Sequence, residues 1–231
     1  MNNEHKTTNL VIGALNFHGI REKRDDLNVK ELISKCDIFG ASETWLNEND
    51  TIKIPGYKFF PIHRKNNKGP QKGGIGVFLK ESIRKYVKIR YDLSCENVLW
   101  CKLTKKYFGF KEDVFLGNVY FPPENSTREK RLKNEHFQDL KETCSKIKEN
   151  KILIGDFNAR TNGLNDNLTK EKHEEFLSHD FYSRIKSKRN NQDKSANNYG
   201  KKLTDFCAAK RSYIVNGRTL GDFKVNSPAT N

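Results

Sequence analysis

The stretch Lys151–Arg160 reads KILIGDFNAR. Ile152, Leu153 and Ile154 form a short apolar run that stops at Gly155, and an acid and an amide follow at Asp156 and Asn158 with Phe157 between them. A run of this length closed by glycine is how a buried strand looks. Side chains alternate faces along a strand, so an extended Ile152–Asn158 puts Asp156 and Asn158 on one side and Phe157 on the other. The acid and the amide then face one site.

Similar runs recur along the chain: LVIGALN (Leu10–Asn16), DIFGASE (Asp37–Glu43), GGIGVFL (Gly73–Leu79), VLWCKL (Val98–Leu103), DVFLGNVYF (Asp113–Phe121) and YIVNG (Tyr213–Gly217). Each is short, apolar and bounded by Gly, Pro, Asn or charged residues, which reads as a strand. Helical patterns lie between them. Pro122 and Pro123 close one strand, Ser126 and Glu129 form a capping box, and Leu132, Phe137, Leu140, Cys144 and Ile147 then recur three to five residues apart. Leu27–Cys36 and Lys201–Arg211 are shorter amphipathic candidates. Strands interleaved with a few helices indicate an α/β protein whose sheets are covered. The basic stretch His63–Gly74 and the polar stretch Thr161–Gly200 read as surface loops.

The 231 residues fit a single domain, and 35% hydrophobic with 11% aromatic residues supply a core for a rather polar chain. No window approaches the roughly 18 apolar residues of a membrane span, and the N-terminus lacks the pattern of a secretory leader. A nuclear or cytoplasmic protein, neither secreted nor membrane-bound, is expected. Five widely spaced cysteines without a C-x-x-C pair suggest neither a disulfide framework nor a zinc site, and several read as core residues. The formal charge of +14 invites a polyanion, since lysine and arginine that neutralise phosphates supply most non-specific nucleic-acid affinity. A compositional origin competes with that reading, because 31 Lys against 12 Arg, with 25 Asn, is the bias A/T-rich coding produces.

Several strands end on a polar group. Asn16, Glu43, Tyr120, Asp156 and Asn158 gather along one rim if their strands run in a common direction, and the carboxyl ends of strands are where α/β folds place ligands. Taken alone, the Asp and Asn residues also read as Asx turns, and Tyr120 as a packing tyrosine with a wet hydroxyl.

Taken in order and spacing, LNFHGI, ASETWL, GNVYFPPE, IGDFNAR and NYGKKLTDFC…YIVNG resemble the endonuclease/exonuclease/phosphatase superfamily, most closely the endonuclease domains of non-LTR retrotransposons. That group is similar to apurinic/apyrimidinic endonucleases and pancreatic deoxyribonuclease. The resemblance covers about Leu10 to Gly217. It implies a four-layer α/β sandwich of two packed mixed sheets flanked by helices, and a Mg²⁺-dependent cut of a DNA phosphodiester, with Mn²⁺ as a substitute ion. Glu43 matches the family's metal-binding glutamate, with Asn16 beside it holding the glutamate or the ion. Asp156 matches the acid that aligns or deprotonates the attacking water, Asn158 the amide that donates to a phosphate oxygen, and Tyr120 the tyrosine that contacts the scissile phosphate. Lys65, Lys68, Lys72 and Arg160 are the candidate DNA contacts, and His18 reads as a loop residue beside the rim.

The pattern departs from the family at its end. Members continue into further strands and a terminal Ser-Asp-His, whereas this sequence ends at Asn231, so the resemblance implies an incomplete domain, slow or inactive by itself. It also implies a monomer acting on DNA, with a reverse transcriptase in the parent polypeptide. A non-catalytic nucleic-acid-binding remnant, and a phosphatase or sphingomyelinase-like activity on the same fold, are the alternatives.

Overall fold

The computed structural model describes residues 9–64, 72–127, 135–166, 189–191 and 193–218. The chain divides into two compact units, Met1–Phe157 and Asn158–Asn231.

The first unit is built on two four-stranded sheets. In the first sheet, β1 (Ile12–Asn16), β2 (Ile38–Ser42), β3 (Tyr57–Ile62) and β4 (Ile75–Lys80) lie in the order β1-β2-β4-β3. In the second, β5 (Val87–Ile89), β6 (Val98–Leu103), β7 (Val114–Tyr120) and β8 (Asn150–Asp156) lie in sequence order. Each sheet mixes one parallel pair, β1 with β2 or β7 with β8, with two antiparallel pairs. A parallel pair needs a crossover between its strands. The helices Leu27–Ser34 and His136–Lys146 lie in those two crossovers.

Period-2 alternation sorts the strand residues into layers. Ile38, Ile75, Val77 and Leu79 of the first sheet pack with Leu99, Cys101, Leu103, Leu116 and Tyr120 of the second. The opposite face of the first sheet, Phe39, Ala41 and Phe78, packs with Ile33 and Cys36 of the Leu27–Ser34 helix and its exit, together with Phe17 and Ile20. Across the helix His136–Lys146, Phe137, Leu140 and Cys144 are buried, and the Phe137 ring meets Phe121 edge-on at 4.9 Å. Helix, sheet, sheet and helix make the expected four-layer sandwich.

One polar side chain stands inside the layer between the sheets. Asn118 on β7 donates its amide to the carbonyls of Ala41 (3.0 Å) and Gly76 (2.9 Å) on the facing sheet. A Cβ at Gly40 would overlap its Oδ1, so glycine is what fits there.

The second unit is organised around the helix Asn198–Ala209. Asn197 caps it by accepting from the Gly200 amide (2.8 Å), and the same oxygen accepts from the Arg160 amide (2.9 Å). Buried Asp166 and Arg218 form an ion pair, and Asp166 also accepts from the Ile214 amide at 2.7 Å. A buried pair bonded this fully avoids the penalty of an uncompensated charge.

The expected strand Tyr213–Gly217 is not one. Val215 is exposed and the Arg218 amide turns back to its carbonyl at 2.9 Å, so the run ends in a turn. Two strands escaped the sequence reading. β5 has three residues, and β3 contains Pro61, which lacks the amide a central strand requires. Both are edge strands, where proline and shortness are tolerated. The expected strand Ile152–Asn158 is also displaced, and β8 ends at Asp156. Thr127, directly after Ser126, is helical, Glu129 and Leu132 lie outside the described residues, and Phe137, Leu140 and Cys144 fall on the helix His136–Lys146. Cys36, Cys101, Cys144 and Cys207 are buried and Cys95 is exposed. Among the described residues no helix is long and apolar enough to cross a membrane.

Candidate active site

Asn16 ends β1, Tyr120 ends β7 and Asp156 ends β8, while Glu43 follows directly on β2. The parallel pairing brings these ends together: Asn16 stands opposite Ser42, and Tyr120 opposite Asp156. Gly155 makes the last approach possible. Its φ of 113° is closed to most side chains, and a Cβ there would strike the Val119 carbonyl.

The four side chains form one hydrogen-bonded cluster. The Asn16 amide donates both to Glu43 Oε1 (2.9 Å) and to Asp156 Oδ2 (2.9 Å), and its Oδ1 accepts from the His18 amide at 3.0 Å. Tyr120 donates its hydroxyl to Glu43 Oε1 at 3.0 Å, and His18 Nδ1 lies 3.1 Å from Glu43 Oε2. Burial pushes the Glu43 carboxyl upward, but the donors on Asn16, Tyr120 and His18 outweigh it and hold it below the usual glutamate range. Burial, reinforced by the Glu43 charge, pushes the Tyr120 phenol well above its usual value. Glu43 is therefore ionised, and Tyr120 stays a neutral donor.

The backbone around Glu43 is held in an unfavourable shape. His18, Glu43 and Trp45 have φ of 47°, 49° and 53°, in the left-handed region that costs a non-glycine residue on the order of 1–2 kcal/mol. Its neighbours over-determine it. The Gly19 amide binds the Glu43 carbonyl (2.8 Å), and the Thr44 and Trp45 amides bind the carbonyls of Gly74 (3.2 Å) and Gly73 (2.9 Å). Gly73 and Gly74 are themselves at φ 81° and 80°, so SETW and KGG are two halves of one loop packing. Strain of this kind persists where the surroundings impose it, as sites do.

The other expected residues divide. Asn158 opens the second unit with φ 49°, so strand alternation no longer fixes its direction, and its carbonyl accepts from Asn197 at 2.8 Å. Lys72 and Arg160 are exposed, while Lys65 and Lys68 lie outside the described residues. The flanks of that expected surface loop are buried: Arg64, Gly73 and Gly74 all lie inside. Arg64 sets its guanidinium 5.2 Å over the Tyr120 ring and donates to Asn97 at 2.7 Å. The sequence reading missed Arg64, Asn97 and His136 and gave His18 no role. A lone arginine in a lysine-rich stretch was the one available signal. Among the described residues no group of three or more His, Cys, Asp and Glu side chains forms a ready-made metal cage.

Several known proteins are similar. The chain is 25% identical over 151 residues to a protein of Drosophila melanogaster named "Probable RNA-directed DNA polymerase from transposon BS", covering 65% of this chain and 15% of that protein. Among solved structures, the endonuclease domain of TRAS1, a telomere-specific non-LTR retrotransposon, aligns with TM-score 0.49 and 14% identity over 87% of this chain and 71% of that one. The Xenopus laevis APE2 catalytic domain aligns with TM-score 0.49 and 18% identity, over 72% and 63%. The model of the Endonuclease/Exonuclease/phosphatase family matches residues 13–196, well over half of the sequence, and the chain belongs to that family.

Proposed function

We propose that the protein is a divalent-metal-dependent phosphodiesterase that nicks DNA, the endonuclease of a retrotransposon whose parent polypeptide also carries a reverse transcriptase. The observation that carries this reading is the Asn16 amide shared between the carboxylates of Glu43 and Asp156, with Tyr120 on the same Glu43 oxygen. An ionised carboxylate with a second one nearby, all hard oxygen donors, fits Mg²⁺, which accepts one or two carboxylates and keeps several waters. Mn²⁺ takes the same ligands. When bound, the ion supplies Lewis-acid polarisation of a phosphoryl oxygen.

The protein's own groups do the rest. The Asn16 amide nitrogen donates to Glu43 and to Asp156 while its oxygen accepts from the His18 amide, which favours the holding role over direct ligation. Asp156 is the candidate acceptor for the proton of an attacking water. Tyr120, kept protonated, offers a hydrogen bond to a phosphate oxygen. The role of Asn158 as an amide donor rests on the family resemblance. Lys65, Lys68, Lys72 and Arg160 are proposed to meet the DNA backbone. The transposon polymerase relative supports the reverse transcriptase and the mobile-element setting.

The test is relaxation of supercoiled plasmid with Mg²⁺ against EDTA, using the wild type and Asp156→Asn. The reading expects metal-dependent nicking that falls by about 10²–10⁴-fold in the variant. DNA binding without any cutting would favour a binding remnant, and hydrolysis of phosphoinositide or sphingomyelin in parallel assays would move the substrate to lipid.

A further inference from the structure

A buried polar chain stands behind Tyr120, and no part of the proposed chemistry uses it. Arg64 is 4% exposed, and its guanidinium lies over the face of the tyrosine ring at 5.2 Å. One arm donates to Asn97 Oδ1 at 2.7 Å. Arginine has no acceptor, so the contacting Asn97 atom is its oxygen, and the Asn97 nitrogen, 3.0 Å from His136 Nδ1, must be the donor there. His136 Nδ1 therefore accepts. Its ring is 3% exposed and lies 5.3 Å from the Phe121 ring, nearly parallel to it. Glu96 stands 3.8 Å from Arg64 Nε. Gly73 makes the cradle, since a Cβ there would overlap the guanidinium.

We propose that Arg64 is a positioning residue that acts through Tyr120. The guanidinium is planar, and its two uses are orthogonal: the edge is tied to Asn97 and the flat face covers the tyrosine ring. The Tyr120 hydroxyl reaches Glu43 from the opposite sheet. A phenol pivots about its ring axis and swings about its Cα–Cβ bond, and the strand backbone alone does not stop the swing. Arg64 covers one face of the ring, so the hydroxyl keeps its aim whether or not a ligand is present. His136 and Asn97 hold Arg64 in turn. Lysine keeps the charge but has neither the plane nor the fork, so it is not an equivalent. This inference rests on the phosphodiesterase reading for its kinetic consequence, but its structural consequence does not.

Two measurements test it. In metal-free protein carrying isotope-labelled tyrosine, the couplings across the Tyr120 Cα–Cβ bond in the wild type should be those of a single rotamer, and Arg64→Lys or Arg64→Met should average them while global stability measured by urea is retained. In the nicking assay, Arg64→Lys should lower kcat about tenfold with KM nearly unchanged. In a Tyr120→Phe background, where no hydroxyl remains to be aimed, the same change should have almost no further effect. Unchanged couplings in both Arg64 variants would overturn the proposal, as would fully additive kinetic losses. Rotamer averaging in a protein that shows no nicking would support the positioning role and defeat only the phosphodiesterase reading.

Discussion

Tyr120 and Glu43 come from different sheets and meet in a 3.0 Å hydrogen bond at their strand ends. The site is thus a seam, closed only when the two sheets are packed in register. Each side can be perturbed separately.

The Asn16–Glu43 contact sets the first expectation. Glu43→Gln removes the ionised donor and should largely abolish Mg²⁺ binding in calorimetry with an unchanged circular dichroism spectrum. Asn16→Ala leaves the carboxylate but not its holder, and should weaken the ion by about 10–100-fold, as loss of an orienting partner does. Equal Mg²⁺ affinity in wild type and Glu43→Gln would exclude Glu43 as a ligand.

The pH dependence of the metal-free protein has a fixed sign. The Glu43 carboxyl is lowered on folding, so it binds protons less readily folded than unfolded. Its contribution to stability is present above roughly pH 5, where an unfolded glutamate is ionised, and is lost as pH falls through the lowered folded value. Tyr120→Phe removes one donor and should move the Glu43 titration upward, read from its side-chain carbon shift. A downward move would contradict the assigned donor.

The basic surface has its own measurement. Replacing Lys65, Lys68 and Lys72 with Gln together should reduce the slope of log affinity against log salt for duplex DNA by up to about three units. An unchanged slope would leave the +14 charge to composition.

Gly40 probes the packing between the sheets. Gly40→Ala drives a methyl into Asn118 Oδ1 and should cost about 1–3 kcal/mol in urea unfolding with an unchanged m-value. Asn118→Ala in the same chain should return part of that loss.

The architecture was legible where local pattern and tertiary role coincide. Val98–Leu103 is apolar and central, and β6 occupies those residues. The edges were not legible, because Pro61 and the brevity of Val87–Ile89 are marks of weak strands that only their position excuses. The site followed the same division. Asn16, Glu43, Tyr120 and Asp156 sit at strand ends, which a pattern of apolar runs reveals. Arg64 and His136 are buried polar groups in polar sequence, and nothing local distinguishes a solvated arginine from one tied to Asn97. His18 needed the left-handed turns at His18 and Glu43 to meet its partner, a geometry that composition does not encode.

The paired bonds from Asn118 to Ala41 and Gly76 act as a key between two greasy plates. Hydrophobic surfaces hold each other firmly but tolerate sliding, since their attraction is non-directional. A carboxamide that grips two fixed carbonyls does not tolerate it. The alignment of the Tyr120–Glu43 contact therefore resides in the buried layer between the sheets, two residues below Tyr120 and two below Glu43. The outer helices and loops are free to diverge without loosening the seam where Tyr120 meets Glu43.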